Sequence, residues 1–444
     1  MSLRFAPSPT GYLHVGNART AIINWLISRQ MGESFILRFD DTDTERSSEK
    51  FISSIKEDLN WLGLTWDFSF KQSERTKNYE EAFHKLKDNN LIYPCYETDD
   101  ELSLKRSLQR KSGRPPVYDR AALKLTKEDK SKIESQGKLP HWRFKLPDKD
   151  FFWEDAIYGK IKFNVKSYSD PVLIRADGRP LYTLTSVVDD SENDIKFIVR
   201  GSDHLSNSGA QIALFLALDS EPPAFAHHPL LVGSDGGPLS KRLGSLSLTN
   251  LYDEGIESEV LMSYLSLIGS NLDANIFLSK KNIISKFNIK NVGKSNVIFD
   301  KNLLSSLNQQ YFRNLSFAEI SSRLNKLEIN DVSEDFWLCI RENILNFNEI
   351  QFWWDIIYKP ISPKILDKDY IKIVLKNVPS GELDANSWKV WTSTLSKLTD
   401  RKGKTLFLPI RQALTGLDYG PSMAHILPLI GIDRVKKRLL GQNV

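Results

Sequence analysis

A chain of 444 residues allows about three domains of roughly 150 residues each and can bury its cores without covalent staples. With 41% hydrophobic and 26% charged residues the composition excludes wholesale disorder, and the longest apolar runs, such as Ile212 to Leu218, fall far short of the roughly 18 to 20 residues that cross a bilayer. The formal net charge of +4 is unevenly placed: residues 401–444 carry Arg401, Lys402, Lys404, Arg411, Arg434, Lys436, Lys437 and Arg438 against Asp418 and Asp433. Such a basic segment behind a near-neutral body fits a polyanionic partner or, equally, a solvated basic helix end.

Residues 2–6 read as a short buried strand, ended by Pro7-Ser8-Pro9-Thr10-Gly11, where two prolines forbid helix and withhold ladder donors. A helix follows, with Ala18, Ala21, Ile22, Trp25 and Leu26 at helical spacing and Gly32 as its stop. Phe35 to Phe39 is a second apolar strand, ending in Asp40-Asp41-Thr42-Asp43. Strand, helix and strand within about 40 residues predict a parallel βαβ unit with a right-handed crossover. A second amphipathic helix, with Ile52, Ile55, Leu59 and Leu62 on one face, carries the α/β pattern to about residue 92.

From Trp142 to Tyr182 short alternating runs (Trp142/Phe144/Leu146, Ile161/Phe163/Val165, Val172/Ile174) and the turn Asp177-Gly178 predict an antiparallel insertion. Parallel character returns with Ile195 to Val199 and the helix Gln211 to Leu218, and beyond about residue 250 helical periodicity takes over. The expected fold is α/β: a Rossmann-type parallel sheet split by an α+β insertion and followed by an all-helical C-terminal region. Its expected segments are 1–92 and 181–235 for the two halves of the sheet domain, 93–180 for the insertion, 236–300 for a connecting region with a basic loop, and 301–444 for the helical end.

The two cysteines, Cys95 and Cys339, form neither a Cys-x-x-Cys motif nor a disulfide framework, so a reducing compartment is expected and a structural zinc is not. No basic leader with an apolar run precedes the first motif at Arg4, and the expected location is the cytoplasm.

His14-Val15-Gly16-Asn17 falls where the first strand feeds the first helix, the crevice at which open parallel sheets bind ligands. A helix N-terminus there offers free N–H groups and a positive dipole end to phosphate, Gly16 leaves room for a flat base, and His14 can donate a hydrogen bond or carry charge. Taken alone the tetrapeptide reads as a capping histidine beside a turn glycine. It gains weight from Gly233-Ser234-Asp235-Gly236-Gly237 followed by Pro238-Leu239-Ser240-Lys241-Arg242, a glycine-rich loop that can bring ammonium and guanidinium charge onto a triphosphate. Together they point to attack on the α-phosphate of ATP.

Arg4-Phe5-Ala6-Pro7-Ser8-Pro9-Thr10-Gly11, Leu13 through Arg19, Leu37 through Asp43 with Arg46, Gln72-Ser73-Glu74-Arg75, Val187-Val188-Asp189-Asp190 and the Lys241 loop resemble the class I aminoacyl-tRNA synthetases, specifically the bacterial glutamyl-tRNA synthetases. The likeness continues through Phe299-Asp300, Asn308, Tyr311, Lys402-Gly403-Lys404 and Pro409-Ile410-Arg411. It implies ATP with Mg2+, L-glutamate, tRNA-Glu with tRNA-Gln as a possible second acceptor, and a monomer that works without a membrane; a glutaminyl-tRNA synthetase or tRNA-Gln-directed paralogue is the alternative. Residue by residue, it assigns His14, Gly16 and Lys241 to catalysis. It places Thr10, Asn17, Ser240 and Arg242 beside them at ATP, and Arg4, Ser8, Asp40, Tyr182, Ser186 and Arg200 at glutamate. It also assigns residues 93–180 to the acceptor stem and 301–444 to the anticodon.

This sequence departs from the family pattern at Asp40, where glutamate is common, at Pro238, where a basic residue is usual, and at Ser186, where an amide is frequent. Some relatives hold zinc in the insertion; Cys95 alone does not supply such a site. The segment Leu345-Asn346-Phe347-Asn348 lacks the arginine by which some relatives reject tRNA-Gln, which implies relaxed or tRNA-Gln-directed use. Trp353, Trp354, Trp388 and Trp391 serve either as core or as platforms for unpaired bases.

Overall fold

The computed structural model describes residues 2–237, 239, 246–271, 279–324, 327, 329 and 332–444. Contacts divide the chain into two units, Met1–Tyr252 with Leu261–Asp300 and Asp253–Val260 with Lys301–Val444. Among the described residues no helix is long and apolar enough to cross a membrane.

The first unit opens with β1 (Ser2–Phe5), α1 (Val15–Met31) and β2 (Ser34–Phe39), the expected βαβ unit, with β1 and β2 parallel. Gly32, at φ 69°, ends α1 in the left-handed conformation that a Cβ disfavours. α2 (Glu49–Leu62) starts on the Ser48 side chain, which accepts from the Phe51 amide, and buries the predicted Ile52, Ile55, Leu59 and Leu62. β3 (Phe68–Lys71) pairs parallel with β2, and α3 (Thr76–Asp88) leads to β4 (Ile92–Cys95).

After α4 (Asp99–Lys111) and α5 (Lys127–Ser135) come β5 (His141–Phe144), β6 (Phe151–Asp155), β7 (Gly159–Phe163) and β8 (Val172–Ile174). Strands β4, β5 and β8 form the antiparallel sheet of the insertion. The β6–β7 hairpin does not join it, although its alternation reads like that of its neighbours. It pairs instead with β10 (Ala224–His228), parallel at Phe225↔Asp155.

Between them lie α6 (Tyr182–Glu192), β9 (Phe197–Gly201) and α7 (Leu205–Ala217), with β9 parallel to β10. A parallel bridge, Ser2↔Ile195, joins β1 to the start of β9, so the strands run β3-β2-β1-β9-β10-β6-β7. Both Arg4 and Arg200 therefore sit toward the carboxyl ends of adjacent parallel strands, where such sheets place ligand sites. β11 (Leu231–Val232), α8 (Leu248–Asp253), α9 (Ser258–Leu267, which crosses the division), α10 (Lys280–Lys286) and β12 (Val297–Ile298), parallel to β11, complete the region.

The second unit is helical as expected: α11 (Lys301–Asn314), α12 (Phe317–Leu324), α13 (Glu334–Ile340), α14 (Glu349–Tyr358), α15 (Lys368–Lys376), α16 (Ser387–Thr399), α17 (Lys404–Thr415), α18 (Met423–Ile430) and α19 (Ile432–Leu439). Trp353 and Trp391 are core residues rather than platforms, because both lie fully inside its apolar cluster, while Trp354 and Trp388 pack partly buried against it. The basic tail is also not wholly solvated. Arg438 is buried and donates to the carbonyls of Ile356, Leu414, Ile357 and Lys359, so this cation ties helix ends together.

Candidate active site

His14 is the N-cap of α1. Its Nδ1 accepts from the Gly16 amide at 3.0 Å, and its own N–H donates to Asn17 Oδ1 at 3.4 Å, a reciprocal capping box. Burial lowers the pKa of the ring, and Nδ1 is already an acceptor, so the neutral imidazole carries its proton on Nε2. The residue therefore offers a hydrogen-bond donor rather than a charge at neutral pH. A Cβ on Gly16 would lie 2.8 Å from His14 Cε1, so the missing side chain makes room first for the capping ring itself. The expected opening for a flat base at Gly16 has this nearer use.

Around the cap, the Thr10 amide donates to Ser8 O at 2.8 Å and the Asp40 amide to Pro7 O at 3.0 Å, which seats the Pro7–Thr10 loop against the end of β2. The Leu248 amide donates to Leu13 O at 2.9 Å, and Ser247 bridges His14. The chain leaving the basic loop is thus stitched to the head of α1. Pro238, Ser240, Lys241 and Arg242 themselves lie outside the described residues.

Beyond β1 and β2 lies a buried network of guanidinium and carboxylate groups. Arg4 Nε and Nη2 donate to Asp190 at 2.9 and 3.3 Å. Arg38 donates to the same carboxylate at 2.8 Å, to Asp40 at 2.6 and 3.2 Å and to Ser186 Oγ at 3.2 Å. Behind it, Asp189 accepts from Gln72, Arg75 and Tyr79 at 2.7, 2.7 and 3.0 Å. Burial pushes the Asp190 carboxyl up, but the flanking Arg4 and Arg38 outweigh it and hold the group below its ordinary value. For Asp40 burial wins over Arg38, and its pKa is raised to about 6.

Arg200 differs in kind. It is 5% exposed, yet among the described residues its partners are all neutral: Tyr182 Oη at 2.9 Å, Ser208 Oγ at 2.8 Å, Gln211 Oε1 at 2.7 Å and His227 Nε2 at 3.3 Å. Burial and the nearby Arg4 lower its pKa, against the opposing pull of Tyr182 and Asp190. A buried cation without an acid partner is costly unless an anion arrives from outside.

Residues 1–306 match the family described as tRNA synthetases class I (E and Q), catalytic domain, and residues 347–441 match an anticodon binding domain. The chain belongs to the class I tRNA synthetases. It is 46% identical to glutamate–tRNA ligase 2 of Hyphomonas neptunium over 98% of this chain and 99% of that protein. To glutamate–tRNA ligase 1 of Maricaulis maris it is 47% identical over 99% of each. The crystal structure of a glutamate tRNA ligase from Elizabethkingia meningosepticum in complex with its amino acid superposes with a TM-score of 0.84 at 25% identity, covering 99% of this chain and 98% of that one.

In this synthetase the structure gathers Arg4, Asp40 and Ser186 into one network and joins Tyr182 to Arg200 beside it, while His14, Gly16 and Asn17 form the cap of α1. Ser8 and Thr10 meet each other through their backbones. The residue reading left Arg38, Asp189 and Asp190 without roles. One signal was available: a charge inside the apolar run Phe35 to Phe39 must be paired when buried, and two adjacent acids after Val187-Val188 are its natural partners.

In the insertion, Cys95 does not stand alone: Glu97 and His141 bring their ligand atoms and its sulfur within 4.8 Å of one another. These residues fit a structural zinc poorly. They supply three donors where a closed site takes four, burial pushes the Cys95 thiol up to about 11, and Arg143 already lends the cluster a positive charge.

Proposed function

We propose that this chain ligates L-glutamate to tRNA in two steps. The α-carboxylate of glutamate attacks the α-phosphorus of ATP, which enters as its magnesium complex. Pyrophosphate leaves, and the terminal ribose hydroxyl of tRNA-Glu then takes the glutamyl group from the adenylate. The observation that carries this reading is Arg200, a buried guanidinium whose described partners are all neutral, in a chain whose relatives are named glutamate–tRNA ligases. A side-chain carboxylate is the anion that answers it, with Tyr182 Oη alongside. Asp40 receives the substrate ammonium, and Arg4 and Ser186 line the same network.

The neutral His14 Nε2–H and the N-terminus of α1 would face the phosphates, with Thr10 and Asn17 at the nucleotide. Lys241, flanked by Ser240 and Arg242, would supply the cation that stabilises the transferring phosphate. Catalysis would rest on positioning and electrostatics, since no side chain need be covalently modified. We assign residues 93–180 to the acceptor stem and 301–444 to the anticodon, in a cytoplasmic monomer.

Glutamate-dependent pyrophosphate–ATP exchange, with and without tRNA, tests the proposal. Arg200→Ala raises the glutamate KM by roughly 30-fold or more, the scale of one hydrogen-bonded charge, and leaves the ATP KM unchanged. Lys241→Ala lowers kcat by roughly 10²-fold, the scale of one transition-state donor. Exchange driven by glutamine rather than glutamate would overturn the assignment. Charging tRNA-Glu and tRNA-Gln side by side decides whether the segment Leu345–Asn348 relaxes acceptor choice.

A further inference from the structure

Asp155 ends β6 and His227 lies on β10, and both side chains are fully buried. Asp155 Oδ1 accepts the amides of Ile157, Tyr158 and His227 at 2.9, 2.8 and 3.4 Å, and Oδ2 lies 2.6 Å from His227 Nδ1. Burial pushes this carboxyl up, but the His227 ring and the Tyr158 and Ile157 amides hold it below its ordinary value, so it is ionised and can only accept. Nδ1 therefore carries the proton. Burial also lowers the pKa of the ring, which keeps it neutral and leaves Nε2 as an acceptor. Nε2 faces Arg200 Nε at 3.3 Å and Ser208 Oγ at 2.8 Å. The opposite tautomer would set a donor against the guanidinium N–H.

We propose that Asp155 and His227 are positioning residues: the carboxylate fixes the imidazole as its Nδ1–H tautomer, and the imidazole fixes the plane of Arg200 for the substrate's side-chain carboxylate. With Nε held by His227 and Nη2 by Ser208 and Gln211, Nη1 bonds Tyr182 and keeps one N–H that no described partner takes. This gives the β6–β7 hairpin its reason for leaving the insertion's sheet: its last strand residue must reach β10. The inference rests on the reading of Arg200 as the carboxylate-binding group.

Asp155→Asn keeps the oxygen that serves the three backbone amides and turns an NH2 toward Nδ1, which forces the imidazole proton onto Nε2. The expected result is a glutamate KM raised about tenfold or more, the scale of one hydrogen bond to a charged group, with the ATP KM unchanged. His227→Gln has no tautomer to flip, so adding Asp155→Asn to it raises the KM no further. In the unsubstituted enzyme, 15N spectra of labelled histidine show His227 protonated at Nδ1 and bare at Nε2, a reading that needs no variant to fold. A proton on Nε2, an unchanged glutamate KM in Asp155→Asn, or full additivity in the double variant overturns the proposal. If Arg200→Ala itself leaves the glutamate KM unchanged, it is the functional reading of Arg200 that has failed.

Discussion

Asp190→Asn changes no volume and removes one charge from the centre of the network. In the native protein that carboxylate accepts two bonds from Arg4 and one from Arg38. After the substitution Arg38 keeps Asp40, with Asp189 at 3.8 Å, but Arg4 has no carboxylate partner among the described residues. Breaking a buried ion pair by removing one partner costs about 3–5 kcal/mol, and the remaining amide oxygen keeps the effect near the lower figure. At about 2 °C per kcal/mol for a unit of this size, the melting transition of the first unit falls by about 6 °C at pH 7. Because its folded pKa lies below the unfolded value near 4, Asp190 contributes stability above that pH and loses it as the pH falls through the folded pKa. The gap between native and variant, followed by circular dichroism, therefore holds from pH 7 down to about 4 and narrows only below that. A transition within about 2 °C of the native one at pH 7, or a gap that persists unchanged to pH 3, refutes the argument.

Three further outcomes are expected. On the proposed reading Asp40, raised to about 6, takes up a proton below that pH and no longer accepts the substrate ammonium, so kcat/KM for glutamate falls on the acid side of about pH 6. In Asp40→Asn kcat/KM is low throughout and that limb is gone; a limb that survives there belongs to another group. Gly16→Ala drives a methyl into the His14 ring, loses a cap worth about 1 kcal/mol and lowers kcat in pyrophosphate exchange without raising the glutamate KM. An unaltered kcat would show that the ring's seat is immaterial. Trp391→Ala empties a core position and destabilises the helical unit by about 3–5 kcal/mol in chemical denaturation, while pyrophosphate exchange by the first unit continues; a loss under 1 kcal/mol contradicts its core placement.

The βαβ start was legible because prolines and apolar runs punctuate it, and the helical C-terminal unit because its periodicity has no rival. The cap was half legible: a histidine at a strand–helix junction suggests one, but only coordinates show that the ring fills the space beside Gly16. The network was the least legible part. Arg4 and Asp190 lie 186 positions apart, and no local rule links them. The β6–β7 hairpin misled for a similar reason, since alternation fixes which face of a strand is buried but not which sheet receives it. The tryptophans at helical spacing suited core and stacking platform alike, and burial placed Trp353 and Trp391 in the core.

The guanidinium of Arg200, whose hydrogen-bond partners among the described residues are all neutral, also bears on the stability of the protein. On the proposed reading, an acid that pairs with this buried guanidinium is also a folding ligand, which stabilises the native protein by mass action. At a hundredfold excess over the dissociation constant that amounts to about 2.7 kcal/mol. On that reading the resistance of the folded chain to denaturation rises with the concentration of the acid that Arg200 receives.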